Sequence, residues 1–142
     1  DIIVGFPGET EEDYLETKRV VERVDFHNAF VFRYSRRRNT PAAEMPDDIQ
    51  VPERVKEERN QDLLTLVNRL ASEKNNALVG QKVEILCEGA SKTNSERLSG
   101  RTMQNKIVII EGDQQRLAGE IFDVLVTEST GYTLYGDPVL HD

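Results

Sequence analysis

A chain of 142 residues with 37% hydrophobic content has room for one ordinary domain or two small pieces, and no generous core. Its net charge of -8 excludes indiscriminate nucleic-acid binding, because backbone affinity comes from positive charge; any nucleic-acid surface has to be a segregated patch. The single cysteine excludes an intrachain disulfide and a self-contained thiolate metal site, and no run approaches the roughly 18 apolar residues that cross a bilayer. With one cysteine and no signal segment, a reducing, cytoplasmic compartment is expected.

Asp1-Ile-Ile-Val4 reads as the end of a buried parallel strand, so the chain is expected to begin inside one domain and to end with a complete small one. Gly5-Phe-Pro-Gly-Glu-Thr10 is a turn. Thr10 is suited to cap a helix, with Asp13 placed for a near capping box and Glu11 and Glu12 in the first turn. The helix runs to about Val24, with Tyr14, Thr17, Val21 and Val24 on one face, widened by Leu15 and Val20. Ala29-Phe-Val-Phe-Arg-Tyr34 reads as a second buried strand. Strand, capped helix, strand is a βαβ unit with Gly5 and Gly8 at the carboxyl end of its first strand, where α/β folds bind ligands. The two glycines are open to two readings, tight-turn geometry or close approach of a ligand. Their spacing fits no dinucleotide or P-loop motif.

Ser35-Arg-Arg-Arg-Asn-Thr-Pro-Ala-Ala43 is a loop carrying the densest positive feature of the chain, Arg36, Arg37 and Arg38. It suits a phosphate-bearing substrate, or it is a solvated loop countered by Glu44, Asp47 and Asp48. Pro52 opens a long helix over residues 53–78, with an apolar stripe of Val55, Leu63, Leu66, Leu70 and Ala77 broadened by Leu64, Val67 and Ala71.

From Gly80 the period falls to two. Strands are predicted over residues 81–88, 98–102, 106–110, 117–126 and 132–136, separated by Gly, Asn and Asp turns, and together they suggest a small antiparallel barrel. Cys87 falls on the inward face with Val83 and Ile85 and reads as a core residue. His27 and His141 stand at no metal-ligand or catalytic spacing. Lys92, Arg97, Arg101 and Lys106, with Asn94, Ser99, Thr102, Gln104 and Asn105 among them, form the mixture that small barrels present to a nucleic-acid backbone. Tyr132 and Tyr135 are candidate stacking residues.

These stretches together resemble the C-terminal part of the radical S-adenosylmethionine methylthiotransferases, most closely their tRNA-modifying MiaB branch. The matching residues are Asp1-Ile-Ile-Val-Gly-Phe-Pro-Gly-Glu-Thr-Glu-Glu-Asp-Tyr14, Phe32-Arg-Tyr-Ser35, Thr40-Pro-Ala-Ala-Glu-Met-Pro46, Val51-Pro-Glu-Arg-Val-Lys-Glu-Glu-Arg59, Asn76-Ala-Leu-Val-Gly80, Ser99-Gly-Arg-Thr102 and Asn105-Lys106. The family's usual Tyr-Ser-Pro-Arg-Pro-Gly-Thr becomes Tyr34-Ser-Arg-Arg-Arg-Asn-Thr40, which keeps the central arginine as Arg37 and is basic, where the ribosomal-protein branch tends to be acidic.

The resemblance implies an α/β plus all-β chain. Residues 1–78 would be the C-terminal portion of a radical-SAM partial (β/α) barrel with its linker helix. Residues 79–142 would be a five-stranded antiparallel, OB-like TRAM barrel that engages RNA. It implies methylthiolation at C2 of an N6-prenylated adenosine beside the anticodon. S-adenosylmethionine and two 4Fe–4S clusters would serve the parent protein, and the fragment, lacking the six cluster cysteines, would bind none of them and be inert. Gly5, Phe6, Pro7, Gly8 and Glu9 would border the S-adenosylmethionine site. Arg36, Arg37, Arg38, Lys92, Arg97, Arg101, Asn105 and Lys106 would contact substrate or RNA, with the tRNA anticodon stem-loop as partner. No catalytic or metal-ligating residue is assigned, and no membrane contact is expected. The alternatives are a sister enzyme acting on a ribosomal protein or on threonylcarbamoyladenosine, and a stand-alone RNA-binding module. The apolar surface of Ile2, Val4, Phe30 and Phe32 must be covered by the helices, by a partner chain or not at all, so some self-association is expected.

Overall fold

The computed structural model describes residues 1–139 in two compact units, 1–70 and 71–139, divided within one helix. His141, one of the two histidines set aside above, lies outside the described residues.

In the first unit, β1 (Ile2–Val4) and β2 (Val31–Arg33) pair in parallel with Ile3 opposite Phe32. Between them α1 (Glu11–Val24) starts on the full capping box that Thr10 and Asp13 promise and ends at Asp25 in the left-handed conformation. Tyr14 and Val21 of α1 pack with Val4 and with Leu63, Leu66 and Val67 of α3 (Glu53–Asn76). Both helices thus cover one face of the strand pair. Alternation along each strand leaves the other face bare, with Ile3 56%, Phe30 63% and Phe32 51% exposed. Of the four residues expected to need cover, Ile2 and Val4 receive it and Phe30 and Phe32 do not. The apolar face of α1 is also narrower than predicted: Leu15, Val20 and Val24 stay exposed.

The segment after β2 is not all loop. Thr40 caps a turn of helix, α2 (Pro41–Glu44), its hydroxyl accepting from the Ala43 amide, and a 3-10 turn follows at Asp47–Ile49. Proline at the first helical position and a threonine cap are local signals for this turn.

The second unit is a closed five-stranded barrel of order β3-β4-β5-β7-β6: β3 (Lys82–Ala90), β4 (Leu98–Arg101), β5 (Ile107–Ile110), β6 (Ile121–Ser129) and β7 (Thr133–Val139). Four of its pairings are antiparallel. The fifth, β5 with β7, is parallel, which corrects the wholly antiparallel expectation and gives the barrel its OB-like connectivity. Inward residues Ile85, Cys87, Leu98, Val108, Ile110, Val124, Val126 and Leu134 form the core, so Cys87 is the core residue its strand position predicts. A Cβ at Gly136 would lie 2.3 Å from the Leu125 carbonyl oxygen, so only glycine lets β6 and β7 approach this closely. The strand predicted from residue 117 starts later. Asp113 caps α4 (Gln114–Leu117), whose Leu117 is buried against the barrel core.

A polar cluster at Asp62 helps fasten α1 to α3. The Tyr14 hydroxyl donates to Asp62, and Lys18 Nζ bonds the same carboxylate at 2.8 Å. The Lys18 ammonium first, then the Tyr14 hydroxyl, hold the Asp62 carboxyl below the usual carboxylate range. A carboxyl whose folded pKa is depressed contributes stability above its unfolded pKa of about 4 and loses it as pH falls through the folded value. Asp62→Asn should therefore be less stable than the parent chain at pH 7, with the gap closing below about pH 4. Urea unfolding at several pH values measures this, and a pH-independent gap would contradict it.

Candidate strand-end turn and nucleic-acid interface

Gly5 and Gly8, both at positive φ, turn the chain at the carboxyl end of β1. A Cβ at Gly5 would fall 2.1 Å from Lys56 Cγ, so this glycine is required by the close passage of α3 as well as by its backbone angle. Around Gly8 no atom lies within 4 Å of a Cβ position. Pro7 is buried, and Phe6, 44% exposed, stands edge-on to the Tyr34 ring at 5.4 Å between centroids. Glu9 turns inward. Its Oε1 accepts from the Gly5 amide at 2.9 Å and from Arg59 Nη1 at 2.7 Å, closing the turn on itself.

Sequence reasoning missed the two cations that hold this turn. Arg59, with its side chain 8% exposed, pairs with Glu9 and Glu11 and lies 5.6 Å over the Tyr14 ring. Lys56 donates to the Tyr34 carbonyl at 3.2 Å, pairs with Glu53 at 2.9 Å and lies 5.6 Å over the Tyr34 ring. Their signal was present: Lys56 and Arg59 continue the stripe of Leu63, Leu66 and Leu70 toward the start of α3. The Tyr34 hydroxyl and Arg59 Nε are buried without a hydrogen-bond partner.

The three arginines of the loop after β2 part company. Arg36 bonds the Ala43 carbonyl through Nε and Nη2 and pairs with Asp47 at 2.9 Å, so it braces α2. Arg37 and Arg38 are exposed.

In the barrel, Lys92 is exposed in the β3–β4 loop, and Arg97 faces Glu111 at 3.7 Å. Arg101 ends β4, pairing with Glu88 at 3.4 Å and donating to Asn105 Oδ1 at 3.0 Å. Asn105 takes a positive φ in the turn to β5. Lys106 does not present its charge at the surface, and its reading as a surface contact is corrected. It is 7% exposed, and its ammonium donates to Asn75 Oδ1 at 2.5 Å. Burial, and secondarily the charge of Lys74, push its pKa down. Asn75 in turn donates to the Gly131 carbonyl at 2.9 Å. Turn chemistry gives the reason: with Asn105 left-handed, Lys106 follows Thr102 inward, its amide donating to the Thr102 hydroxyl.

The buried pair at the turn yields a clear expectation. Removing one partner of a buried ion pair leaves an uncompensated charge, so Arg59→Ala should cost about 3–5 kcal/mol in urea unfolding at pH 7. The double change Glu9→Gln with Arg59→Met should recover most of it, and equal losses in both variants would show that the pair is not what holds the turn.

Residues 76–139 match the TRAM domain family. The chain is 62% identical over 138 residues to a tRNA-2-methylthio-N(6)-dimethylallyladenosine synthase of Akkermansia muciniphila, covering 97% of the chain. Proteins of the same description from Moorella thermoacetica and Methylacidiphilum infernorum are 50% and 49% identical over 98% and 99% of it. The chain spans 30, 31 and 29% of the length of these three relatives. By this likeness the chain is similar to just under a third of the length of each of these synthases, and the shared part includes a stretch that matches a TRAM domain.

Proposed function

We propose that the chain is the C-terminal portion of a tRNA methylthiotransferase that inserts sulfur at C2 of an N6-prenylated adenosine beside the anticodon and methylates it. The 62% identity to a synthase of that description carries the reading, and it extends through both units. Residues 1–78 serve as the last part of a radical-SAM partial barrel with its linker helix, and residues 79–142 as the RNA-binding domain. The bare apolar face of Ile3, Phe30 and Phe32 supports this, because parallel strands are ordinarily covered on both faces. Alone, the chain should self-associate through that face. Light scattering should rise with concentration and fall in Phe32→Ser, and a strictly monomeric chain would contradict this part of the reading.

The Gly5, Phe6, Pro7, Gly8 and Glu9 turn would border S-adenosylmethionine with its outer surface, at Phe6 and the open space beside Gly8, while the inward Glu9 shapes the turn from behind. When bound, that cofactor supplies the methyl group and the radical precursor. What this chain contributes is position: Glu9 and Arg59 fix the turn, while Arg37 and Arg38 offer guanidinium forks to substrate phosphate. No group of three or more His, Cys, Asp or Glu among the described residues is placed to hold a metal. Cys87 is committed to the barrel core, so on this reading the iron–sulfur clusters would be held by other parts of the parent protein, and the chain alone should form no methylthiolated product when assayed with tRNA. No helix among the described residues is long and apolar enough to cross a membrane.

Mass spectrometry of hydrolysed tRNA from a strain lacking the parent gene tests the assignment. The 2-methylthio group should vanish and the N6-prenylated adenosine remain; an unchanged 2-methylthio product would sink it. Loss of methylthiolation on a ribosomal protein or on threonylcarbamoyladenosine would assign a sister enzyme instead. The chain itself should bind an anticodon stem-loop weakly, with a slope of log affinity against log salt of about -2 to -4, as three or four phosphate contacts give. Arg101→Ala should weaken binding about equally for all RNA sequences. Salt-independent binding would contradict a phosphate-based interface.

A further inference from the structure

One end of the barrel gathers unusual chemistry. Arg101 is the register partner of Ile107 across β4 and β5, and Ile107 is the partner of Thr133 across β5 and β7. Lys106 and Tyr132 therefore enter adjacent parallel strands side by side. Tyr132 is 62% exposed and Met103, in the turn before Lys106, is 89% exposed, both beyond the ends of the strands. Arg101 donates to Asn105, and the next residue, Lys106, donates to Asn75, which donates to the Gly131 carbonyl one residue before Tyr132, so the second link ties the two segments together.

Lys106 gives this end its character. An ammonium has three protons to donate, and here its hydrogen bond goes to an uncharged amide while its charge lies beneath the surface. Lys106 thus brings an ammonium beneath this end of the barrel with a neutral hydrogen-bond partner, although burial and the charge of Lys74 push its pKa down. Arg101, although paired with Glu88, lies two strand spacings from Thr133, about 10 Å. A base and an adjacent phosphate can bridge that separation. An exposed ring beside a guanidinium, an amide and a buried ammonium is the equipment of a site for unpaired nucleotides, in which the ring takes a base face and the cations hold the backbone.

We propose that the Arg101–Lys106 turn and the Gly131–Thr133 corner form a subsite for one unpaired RNA nucleotide, its base stacked on Tyr132 and a neighbouring phosphate on Arg101. Lys106 acts as the positioning residue, holding the two segments together through Asn75. The subsite rests on the RNA reading above and sharpens it: the barrel recognises loop nucleotides as well as stem backbone. It also moves the centre of the interface away from Lys92 and Arg97, which lie in the β3–β4 loop at the other end of β4.

Binding of the whole chain to an unpaired oligoribonucleotide of about eight residues, and to a blunt duplex of the same sequence, tests it at several salt concentrations. Tyr132→Ala should weaken single-strand binding about tenfold with the salt slope unchanged, while Tyr132→Phe stays within about twofold. Tyr132→Leu, which keeps apolar bulk but offers no ring face, should lose as much as Tyr132→Ala with an unchanged melting temperature. Duplex binding should be insensitive to all three. Single-strand binding by Tyr132→Leu within about twofold of the parent chain would overturn the proposal. So would an equal loss on the duplex, or a loss in Tyr132→Phe as large as that in Tyr132→Leu. If the parent chain binds neither RNA at low salt, the RNA reading itself fails and the subsite with it; if it binds both and the Tyr132 variants do not differ, only the subsite fails.

Discussion

Arg59 can be buried only if negative charge and hydrogen-bond acceptors are buried with it, and that requirement organises the first unit. Its guanidinium draws Glu9 inward, and Glu9 accepts the Gly5 amide, so the strand-end turn is shaped from behind by a residue fifty positions later. The same helix brings Lys56 over the turn, so close that Gly5 can carry no side chain. A loop otherwise free to fluctuate is held by a low-dielectric ion pair, where losing either partner is expensive. The outer surface of the turn, at Phe6 and Gly8, stays open.

The barrel solves a different problem with different means. Strands this short have exposed edges unless the sheet closes, and closure is completed by the parallel pairing of β5 with β7. That pairing places the start of β7 beside the start of β5. It is why Tyr132 and the Asn105–Lys106 turn, far apart in the chain, share one end of the barrel. Asn75 adds a second tie at the same place by bonding both Lys106 and Gly131.

Legibility in the sequence followed the range of the interaction. The capping box of α1 is local, written in Thr10 and Asp13, and it appears as read. The inward positions of β3 follow the period-two pattern, and Ile85 and Cys87 are buried accordingly. The parallel closure was not legible, because nothing local in Ile107–Ile110 distinguishes a parallel from an antiparallel neighbour. Residues 117–126 read as one strand because Leu117 and Ala118 extend the apolar run of β6 backward, while the deciding signal was the Asp113 cap that makes Leu117 the last residue of α4. Lys106 reads as a surface cation because lysine is seldom buried; its partner lies thirty-one residues earlier. The same distance hid Arg59, whose place on the apolar stripe of α3 made sense only once Glu9 was known to face it.

An acidic chain with few uncommitted cations constrains any reading that involves RNA. Arg36 braces α2, Arg59 and Lys56 hold the strand-end turn, Arg97 faces Glu111 and Lys106 is bonded inside the barrel. Counting basic residues therefore overstates the charge that could meet a phosphate backbone. Some of these cations act at one remove, by fixing the shape of the surface rather than by touching a ligand. Affinity under those conditions cannot come from long-range attraction over the whole chain, which the net charge of -8 opposes. It has to come from short-range contacts with correct geometry. Stacking on an exposed ring is such a contact, because its strength depends on the face of the base and little on the surrounding salt.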